Sequence, residues 1–483
     1  MNNQAEQTFF QIKNIEYVSK KIEDINEFKN LYFFKYNFFK SLERYCPKEF
    51  QDFFNVFENL RQLIVDYKTI LPIDKLHILK KGIEKDKIEL KRKEAALIFA
   101  LSFFDCIKLK GRYDTNDFCV SYLLYEKDGT NFQFGRCFLN YLTIIGKWLG
   151  ENNNILEETI TYMRHNIKSR EYIDKELCQI QIFEEGSLFD GQAKYCIDFA
   201  NKYIGGGALS GGCVQEEILF AVEPEATVSM LFMEVMDDND AIGIFNTIQY
   251  SNYIGYGYSF EFKETAITED YTQIKRHKII AIDAIPNDSY YNYLNSFQNF
   301  SKQKEEDIKR DIHKAYVGFN IINLDSEQNI EKIIATGNWG CGAFGGNHLL
   351  KFYQQWVAAT FAGIQRLDYY TFGVKEMKDI KPNLDKIKNR FKTANDLCDF
   401  IKNRCVDSNH EINPKFENEF FNSIDSEFGI EASCSSGRQS RTYNAFWEIK
   451  NISEKYQYFE EPDIGGYEPA DYCPETGHYN RIW

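Results

Sequence analysis

The 483-residue sequence has no CxxC pair, no HExxH and no GxSxG. Its 12 cysteines are scattered, which excludes a disulfide framework or a cysteine-rich zinc site and reads as free thiols in a reducing compartment. Its seven histidines (His77, His165, His277, His313, His348, His410 and His478) have no metal-ligand spacing, so no metal is expected. Without a nucleophile elbow, and with no histidine fixed beside Cys213 or Cys341, a Ser or Cys triad is not expected either. A basic excess is also lacking. The formal charge of -15 argues against coating nucleic acid by bulk electrostatics, so an anionic ligand would have to be gripped locally. The best apolar run, Ala95 to Phe104, is far too short to span a bilayer, and the N-terminus has no basic start followed by an apolar stretch. The expectation is an intracellular, soluble monomer in nucleus or cytoplasm, with no membrane or sequence-specific nucleic-acid partner. No internal repeat or low-complexity tract is visible.

Ordinary globular content remains: 43% apolar and 27% charged residues, with an unusual 41 Phe and 31 Tyr. To about residue 145 the spacing predicts helices, with Phe53, Val56, Phe57, Leu60 and Ile64 on one face. KKGIEKDKIELKRKEAALIFALSFFDC reads as a charged surface helix or linker running into a buried helix. From about residue 176, strand-like runs (QIQIF, YCIDFA, AIGIF, KIIAIDAI, KIIATG, LDYYTF) alternate with helix-like ones (EEILFAVE, EATVSMLFMEVM, EEDIKRDIHKAYVGF, NHLLKFYQQWVAATFAGI). That alternation predicts an α/β fold, a parallel or mixed sheet flanked by helices, with ligands beyond the carboxyl ends of the strands.

The segment DFANKYIGGGALSGGCVQEE, Asp198 to Glu217, reads as a strand ending in a carboxylate and an amide, a glycine loop, and Gln215 with Glu216 and Glu217 opening a helix. Gly205, Gly206 and Gly207 suit close approach of backbone amides to a diphosphate. Adjacent side chains on a helix diverge by about 100°, so the two glutamates are expected to do different work. The bland reading of such a pair is helix capping and dipole compensation.

A second glycine segment, ATGNWGCGAFGG, lies between a strand-like run and a helix-like one. Gly340, Gly342 and Gly345 satisfy GxGxxG, with Asp368 expected at the end of the next helix, so a dinucleotide-dependent oxidoreductase is a competing reading. In QYSNYIGYGYSF, Tyr250, Tyr253, Tyr256 and Tyr258 either close over a nucleotide or pair across a hairpin. Phe372 in YYTFG offers a ring for a base.

These motifs resemble the poly(ADP-ribose) glycohydrolase family. GGG, a short spacer and QEE is its signature, and YSNYIGYG, IIAIDA, HKAYVGF, ATGNWGCGAFGG and YYTFG follow in the family's order, over about residues 185 to 375. KEAALIFALSFFDC looks like the accessory region of the larger, animal-type members. The resemblance implies a helical accessory region at 1–145, all helical, and a macrodomain-like catalytic domain at 146–483, with its core at 176–375 and a C-terminal extension at 376–483. It implies end-wise hydrolysis of ribose–ribose O-glycosidic bonds in poly(ADP-ribose), releasing ADP-ribose, without cofactor. Poly(ADP-ribosyl)ated proteins would be partners and the DNA damage response the setting.

By the same resemblance Glu217 is the acid, Glu216 orients ribose hydroxyls, and Asp198 and Asn201 support the reacting groups. Gly205 to Gly207, with Gln215 nearby, and the loop of Asn338, Gly340, Cys341, Gly342 and Ala343 take the diphosphate and its neighbours. Tyr256 is the clasp, Phe344 and Phe372 touch ribose and adenine, and Leu188 and Asp190 are base contacts. Cleaving a ribosyl acetal needs a proton on the leaving oxygen and stabilisation of an oxocarbenium-like centre. A reader macrodomain that binds without turnover is the other alternative.

Overall fold

The computed structural model describes residues 9–33, 35–111, 113–189, 191–286, 305–327 and 331–405. All of them fall in one compact unit, Met1–Phe420. The N-terminal helices are α1 (Ile15–Ser19), α2 (Ile25–Tyr32), α3 (Asn37–Tyr45), α4 (Pro47–Val65), α5 (Tyr67–Ile70), α6 (Arg92–Phe103) and α7 (Gly129–Gly150). On α4 the apolar spacing buries Phe50, Phe53, Phe57, Leu60 and Ile64. Phenylalanines fill this region, with Phe28 edge-on to Phe39, Phe50, Phe53 and Phe57. Helix α7 packs against α3 and α4 so closely that a Cβ at Gly135 would meet Phe38 at 2.6 Å, and one at Gly146 would meet Val56 at 2.8 Å.

The region is not all helical. Strands β1 (Phe10–Ile12) and β3 (Ile107–Leu109) pair with each other, and β2 (Lys85–Lys91) joins the main sheet. The segment KDKIELK, expected to continue a charged helix or linker, is this edge strand. Its period is two: Ile88 and Leu90 are buried while Lys85, Lys87, Glu89 and Lys91 face solvent, the charged pattern that suits an exposed edge.

The main sheet has the order β2-β4-β7-β10-β6-β11-β12-β5. Its members are β4 (Thr159–Asn166), β5 (Gln179–Phe183), β6 (Tyr195–Ala200), β7 (Asp240–Thr247), β10 (His277–Asp283), β11 (Ile333–Gly337) and β12 (Arg366–Tyr370). Pairing is antiparallel from β2 through β10 and parallel from β10 through β5, so the sheet is mixed. The helices that follow are α8 (Gln215–Val222), α9 (Pro224–Thr227), α10 (Glu305–Asn320), α11 (His348–Ala362), α12 (Ile380–Arg390) and α13 (Ala394–Cys405). EATVSMLFMEVM, expected as a helix, yields only the single turn of α9 and a 3-10 turn over Val228–Leu231, and its buried residues carry no polar face from which a helical period could be checked. The parallel strands β6, β10, β11 and β12 end on one side of the sheet, where the two glycine segments emerge.

Two of the motifs prove to be internal supports. Asp283, ending IIAIDA, accepts from Arg310 (2.6 Å) and pairs with Lys314 of HKAYVGF (2.8 Å). Arg92 of α6, fully buried, pairs with Glu225 of α9 and donates to the Asn246 carbonyl (2.9 Å). Tyr250 donates to Glu225 (2.6 Å). A single hydrophobic cluster runs from Phe28 and Phe53 through α6, α7 and α8 to Ile279 and Ala281 of β10. The helices before the sheet therefore pack directly onto the element that carries Glu216 and Glu217.

Removing one partner of a buried ion pair strands the other in low dielectric. Arg92→Ala is expected to cost about 3–5 kcal/mol, read from urea unfolding, and Arg92→Met combined with Glu225→Gln to recover much of that loss. A change below about 1 kcal/mol for the single variant would contradict the role given to this pair.

Candidate functional site

Strand β6 delivers Asp198 to the middle of the sheet, opposite Ala281 of β10, with its carboxyl wholly buried. Neither of its oxygens has a hydrogen-bond partner among the described residues. After β6 the chain turns through Asn201 into the glycine loop and enters α8 at Gln215. The Gln215 side chain lies on β6 itself, accepting from Phe199 N (2.8 Å) and donating to the Ile197 carbonyl (3.3 Å), which fixes the start of α8 against the strand end.

The two glutamates point differently, yet the loop wraps both. Glu216 accepts from Asn201 N (2.8 Å) and Gly205 N (2.7 Å). Glu217 accepts from Gly207 N (2.9 Å) and, at the helix start, from Val214 N (2.8 Å). The last bond is a capping interaction, so the bland role for Glu217 is realised together with its place in the site. Gly206 has φ +48°, and a Cβ there would collide with Glu217 Oε1 and Glu216 Oε2. No other residue type lets both carboxylates close on one Cα. The amides of Gly205 and Gly207, expected at a diphosphate, are on these carboxylates.

Burial first, then repulsion from Glu217, holds the Asp198 carboxyl well above the ordinary carboxylate range. Burial, followed by the charges of Asp198 and Glu217, raises Glu216 in the same way, against the Asn201 and Gly205 amides. A proton is thus retained beside Glu217, which is what a site that protonates a leaving group needs.

Tyr256 lies in the turn between β8 (Ser251–Ile254) and β9 (Glu261–Thr265). The motif is therefore a hairpin, with Tyr253 stacked on Phe260 at 5.2 Å. Tyr256 is 58% exposed, but its hydroxyl is directed to the Gln215 amide; burial of that end pushes its pKa up to about 12, the amide opposing and Glu217 adding to the shift. Tyr250 does not join the cleft, being fully buried on Glu225.

At the ends of β11 and β12 the second loop and a set of rings meet. Asn338 donates to the Thr371 carbonyl (3.1 Å) and accepts from the Tyr369 hydroxyl (3.3 Å), tying the two strand ends together. Gly346 N closes the loop on the Gly340 carbonyl (2.8 Å), and Cys341 N donates to the Asn338 carbonyl (3.1 Å). Burial pushes the Cys341 thiol up to about 12, so it is no nucleophile at neutral pH. Gly342 and Ala343 are exposed and Phe344 half-buried, and their amides make no hydrogen bond among the described residues. Those amides stand open to an anion. Phe372 is 47% exposed at φ +52°, a conformation bulky residues rarely hold without a functional reason. Its ring lies 6.2 Å from Tyr370, which stacks on Phe183 at 4.7 Å. Leu188 is buried with Cys196, Ala335 and Tyr370 beneath these rings. Asp190 lies outside the described residues.

Asn116, from the region before the sheet, is a functional support that sequence reasoning missed. Its Nδ2 donates to the carbonyls of Gly206 (2.8 Å) and Ile204 (3.0 Å), pinning the glycine loop from behind. No pattern marks an asparagine that acts 90 residues further along the chain. Asp368 also differs from expectation: it sits within β12, and Arg366 on the same strand takes both its oxygens (2.6 and 3.0 Å). An acidic residue engaged in this way is not free for a dinucleotide ribose, which weakens the oxidoreductase reading.

A mixed sheet whose strand ends present two glycine loops, an acid pair on a helix start and a ring platform defines a macrodomain with a carboxylate-bearing cleft. Residues 167–379 match the family model described as "Poly (ADP-ribose) glycohydrolase (PARG), Macro domain fold", so this part of the chain is similar to the macrodomain of that family. Similar curated proteins include "Probable poly(ADP-ribose) glycohydrolase 2" of Arabidopsis thaliana, 30% identical over 298 residues, covering 54% of this chain and 57% of that one. "Poly(ADP-ribose) glycohydrolase 1" of the same plant is 32% identical over 271 residues, covering 44% and 49%. "Poly(ADP-ribose) glycohydrolase 1" of Caenorhabditis elegans is 32% identical over 269 residues, covering 52% and 33%. The chain thus spans about half the length of the first of these relatives. A second model, described as Leishmanolysin, matches residues 390–482. That stretch holds His410 and His478 but no HExxH.

Two outcomes follow from this geometry. Because Asp198 and Glu216 hold protons above their ordinary pKa, the folded state binds more protons than the unfolded chain; this stability is full below about pH 4 and is lost as pH rises through the window up to the raised values. Asp198→Asn should therefore unfold at higher urea than wild type at pH 8 and show a flatter dependence between pH 5 and 8; equal midpoints would contradict a protonated Asp198. Asn116→Ala removes two bonds worth about 1 kcal/mol each, so amide hydrogen exchange at Gly205 and Gly207 should quicken by about ten-fold or more, and unchanged exchange would show that Asn116 does not hold the loop.

Proposed function

We propose that this chain hydrolyses the ribose–ribose O-glycosidic bonds of poly(ADP-ribose), chiefly from the chain end, releasing ADP-ribose. The observation that carries the reading is the convergence of Glu216 and Glu217 on Gly206, beside a carboxyl at Asp198 that keeps its proton. The terminal ADP-ribose lies across the strand ends, its adenine on Phe372 and its diphosphate on the amides of Gly342 to Phe344. Glu216, fixed by Asn201 N and Gly205 N, receives ribose hydroxyls. Glu217 protonates the departing 2-prime oxygen as the C–O bond breaks, and the electron pair of that bond leaves with the oxygen. The resulting oxocarbenium-like ribose is balanced by the substrate's own diphosphate. Glu217, now a carboxylate, takes a proton from water as the water oxygen bonds to the ribose carbon, which returns the acid to its starting state.

Asp198 keeps a proton in the cluster between turnovers, and Tyr256 covers the ribose. The chain works as a monomer without cofactor, inside the cell in nucleus or cytoplasm, on poly(ADP-ribosyl)ated proteins of the DNA damage response. The alternative of a reader requires binding without turnover, and the glutamate at 217 speaks against it.

The test is release of ADP-ribose from purified poly(ADP-ribose) in EDTA by wild type and by Glu217→Gln, with ADP-ribose binding measured for both. Expected is rapid release by wild type and a loss of about 10²-fold or more in the variant, which still binds. Binding without release by wild type would leave a reader; stronger stabilisation by NAD(H) than by ADP-ribose would favour the oxidoreductase.

A further inference from the structure

A cavity of about 620 Å³ opens in the region before the sheet, between α3 and the first turns of α7, with Lys40, Arg44, Lys127, Asp128, Gln133 and Arg136 in its wall. Lys40 and Arg44 stand four residues apart and so on one face of α3. Arg136 is held by Glu49 (2.5 Å), whereas Lys40, Arg44 and Lys127 form no ion pair among the described residues. Asp128 is the single acid of the lining. In a chain of net charge -15, three cations gathered around one concavity without an acidic partner, Arg44 resting only on the Tyr45 ring at 5.1 Å, repel each other. An anion entering the cavity relieves that repulsion.

The same wall leads to the cleft. Gln133 accepts from Phe262 N (3.2 Å), and the Arg136 guanidinium lies over the Phe262 ring at 4.8 Å, so strand β9 borders the cavity. The hairpin formed by β8 and β9 carries Tyr256 over the start of α8, and next to it Tyr258, 86% exposed. Asn131, flanked by Gly129 and Gln133 of the lining, stands beside Gly211 of the glycine loop. From Gly129 to Arg136 the helix rises only about 10 Å. A chain leaving Glu217 along the hairpin meets an exposed tyrosine ring and then the cations, the alternation of stacking face and charge that grips a flexible polyanion carrying bases.

We propose that this cavity is a second polyanion subsite, which takes a diphosphate of the poly(ADP-ribose) chain in a unit beyond the one being cleaved. The inference rests on the glycohydrolase reading above. It makes long chains better substrates than short ones, through attachment rather than through the chemical step.

The test uses the full chain and compares wild type with Lys40→Glu/Arg44→Glu/Lys127→Glu on long poly(ADP-ribose) and on the ADP-ribose dimer, at low and moderate salt. Thermal midpoints check folding, and the milder Lys40→Gln/Arg44→Gln/Lys127→Gln variant guards against a misfolded reversal. Expected is a fall of about ten-fold in the ratio of long-chain to dimer kcat/KM and a shallower salt dependence of KM for long chains. A ratio and a salt slope equal to wild type would overturn the subsite, as would equal losses on both substrates, which would mean general attraction only. Wild type that cleaves neither substrate would instead remove the glycohydrolase reading, and the subsite with it.

Discussion

The amides of Gly205 and Gly207 donate to the carboxylates of Glu216 and Glu217, and most of the molecule can be understood as holding those bonds in place. Adjacent side chains on a helix diverge, so one loop can serve both only by curling around the helix start. That curl brings the Cα of Gly206 against both carboxylates, where any Cβ would collide. Three buried carboxyls then stand close together. Their mutual repulsion and desolvation keep protons on Asp198 and Glu216, which stores acid next to Glu217 at a cost to stability.

That cost is offset by elements remote in sequence. Asn116 fastens the back of the loop, Gln215 fastens the helix start to β6, and the buried Arg92–Glu225 pair fixes α9, which follows α8 directly. Helix α7 supports the hairpin through Asn140, which donates to the Tyr250 carbonyl (2.8 Å), and through Phe134 against Phe260. Under the second loop, Lys351 pairs with Asp311 and lies over the Trp339 ring at 4.9 Å, so the glycine turn rests on a buried charge cluster. The helices before the sheet are therefore part of what makes the cleft rigid.

Much of this arrangement is legible in local chemistry. The apolar runs of YCIDFA and KIIATG, and the glycine loops ahead of QEE and NHLL, mark strand–loop–helix units by themselves, and the loop ends are where ligands gather. The edge strand β2 is hidden because its Lys and Glu suit an exposed helix as well as an exposed edge, and only pairing with β4 decides. Asn116 and the Arg92–Glu225 pair are invisible for a different reason. They act across 90 and 133 residues, and a single sequence carries no signal of which distant residues meet. The roles of Gly205 and Gly207 are half legible: glycine loops do present amides, but whether to a ligand or to the protein's own carboxylates depends on the path of the loop.

The most direct test is a crystal structure of the chain with ADP-ribose bound. The terminal ribose is predicted within hydrogen-bond distance of Glu216 and Glu217, the diphosphate on the amides of Gly342 to Phe344, and the adenine against Phe372. ADP-ribose seated with its ribose away from both glutamates, or an acid pair displaced from the glycine loop, would contradict the cleft described here.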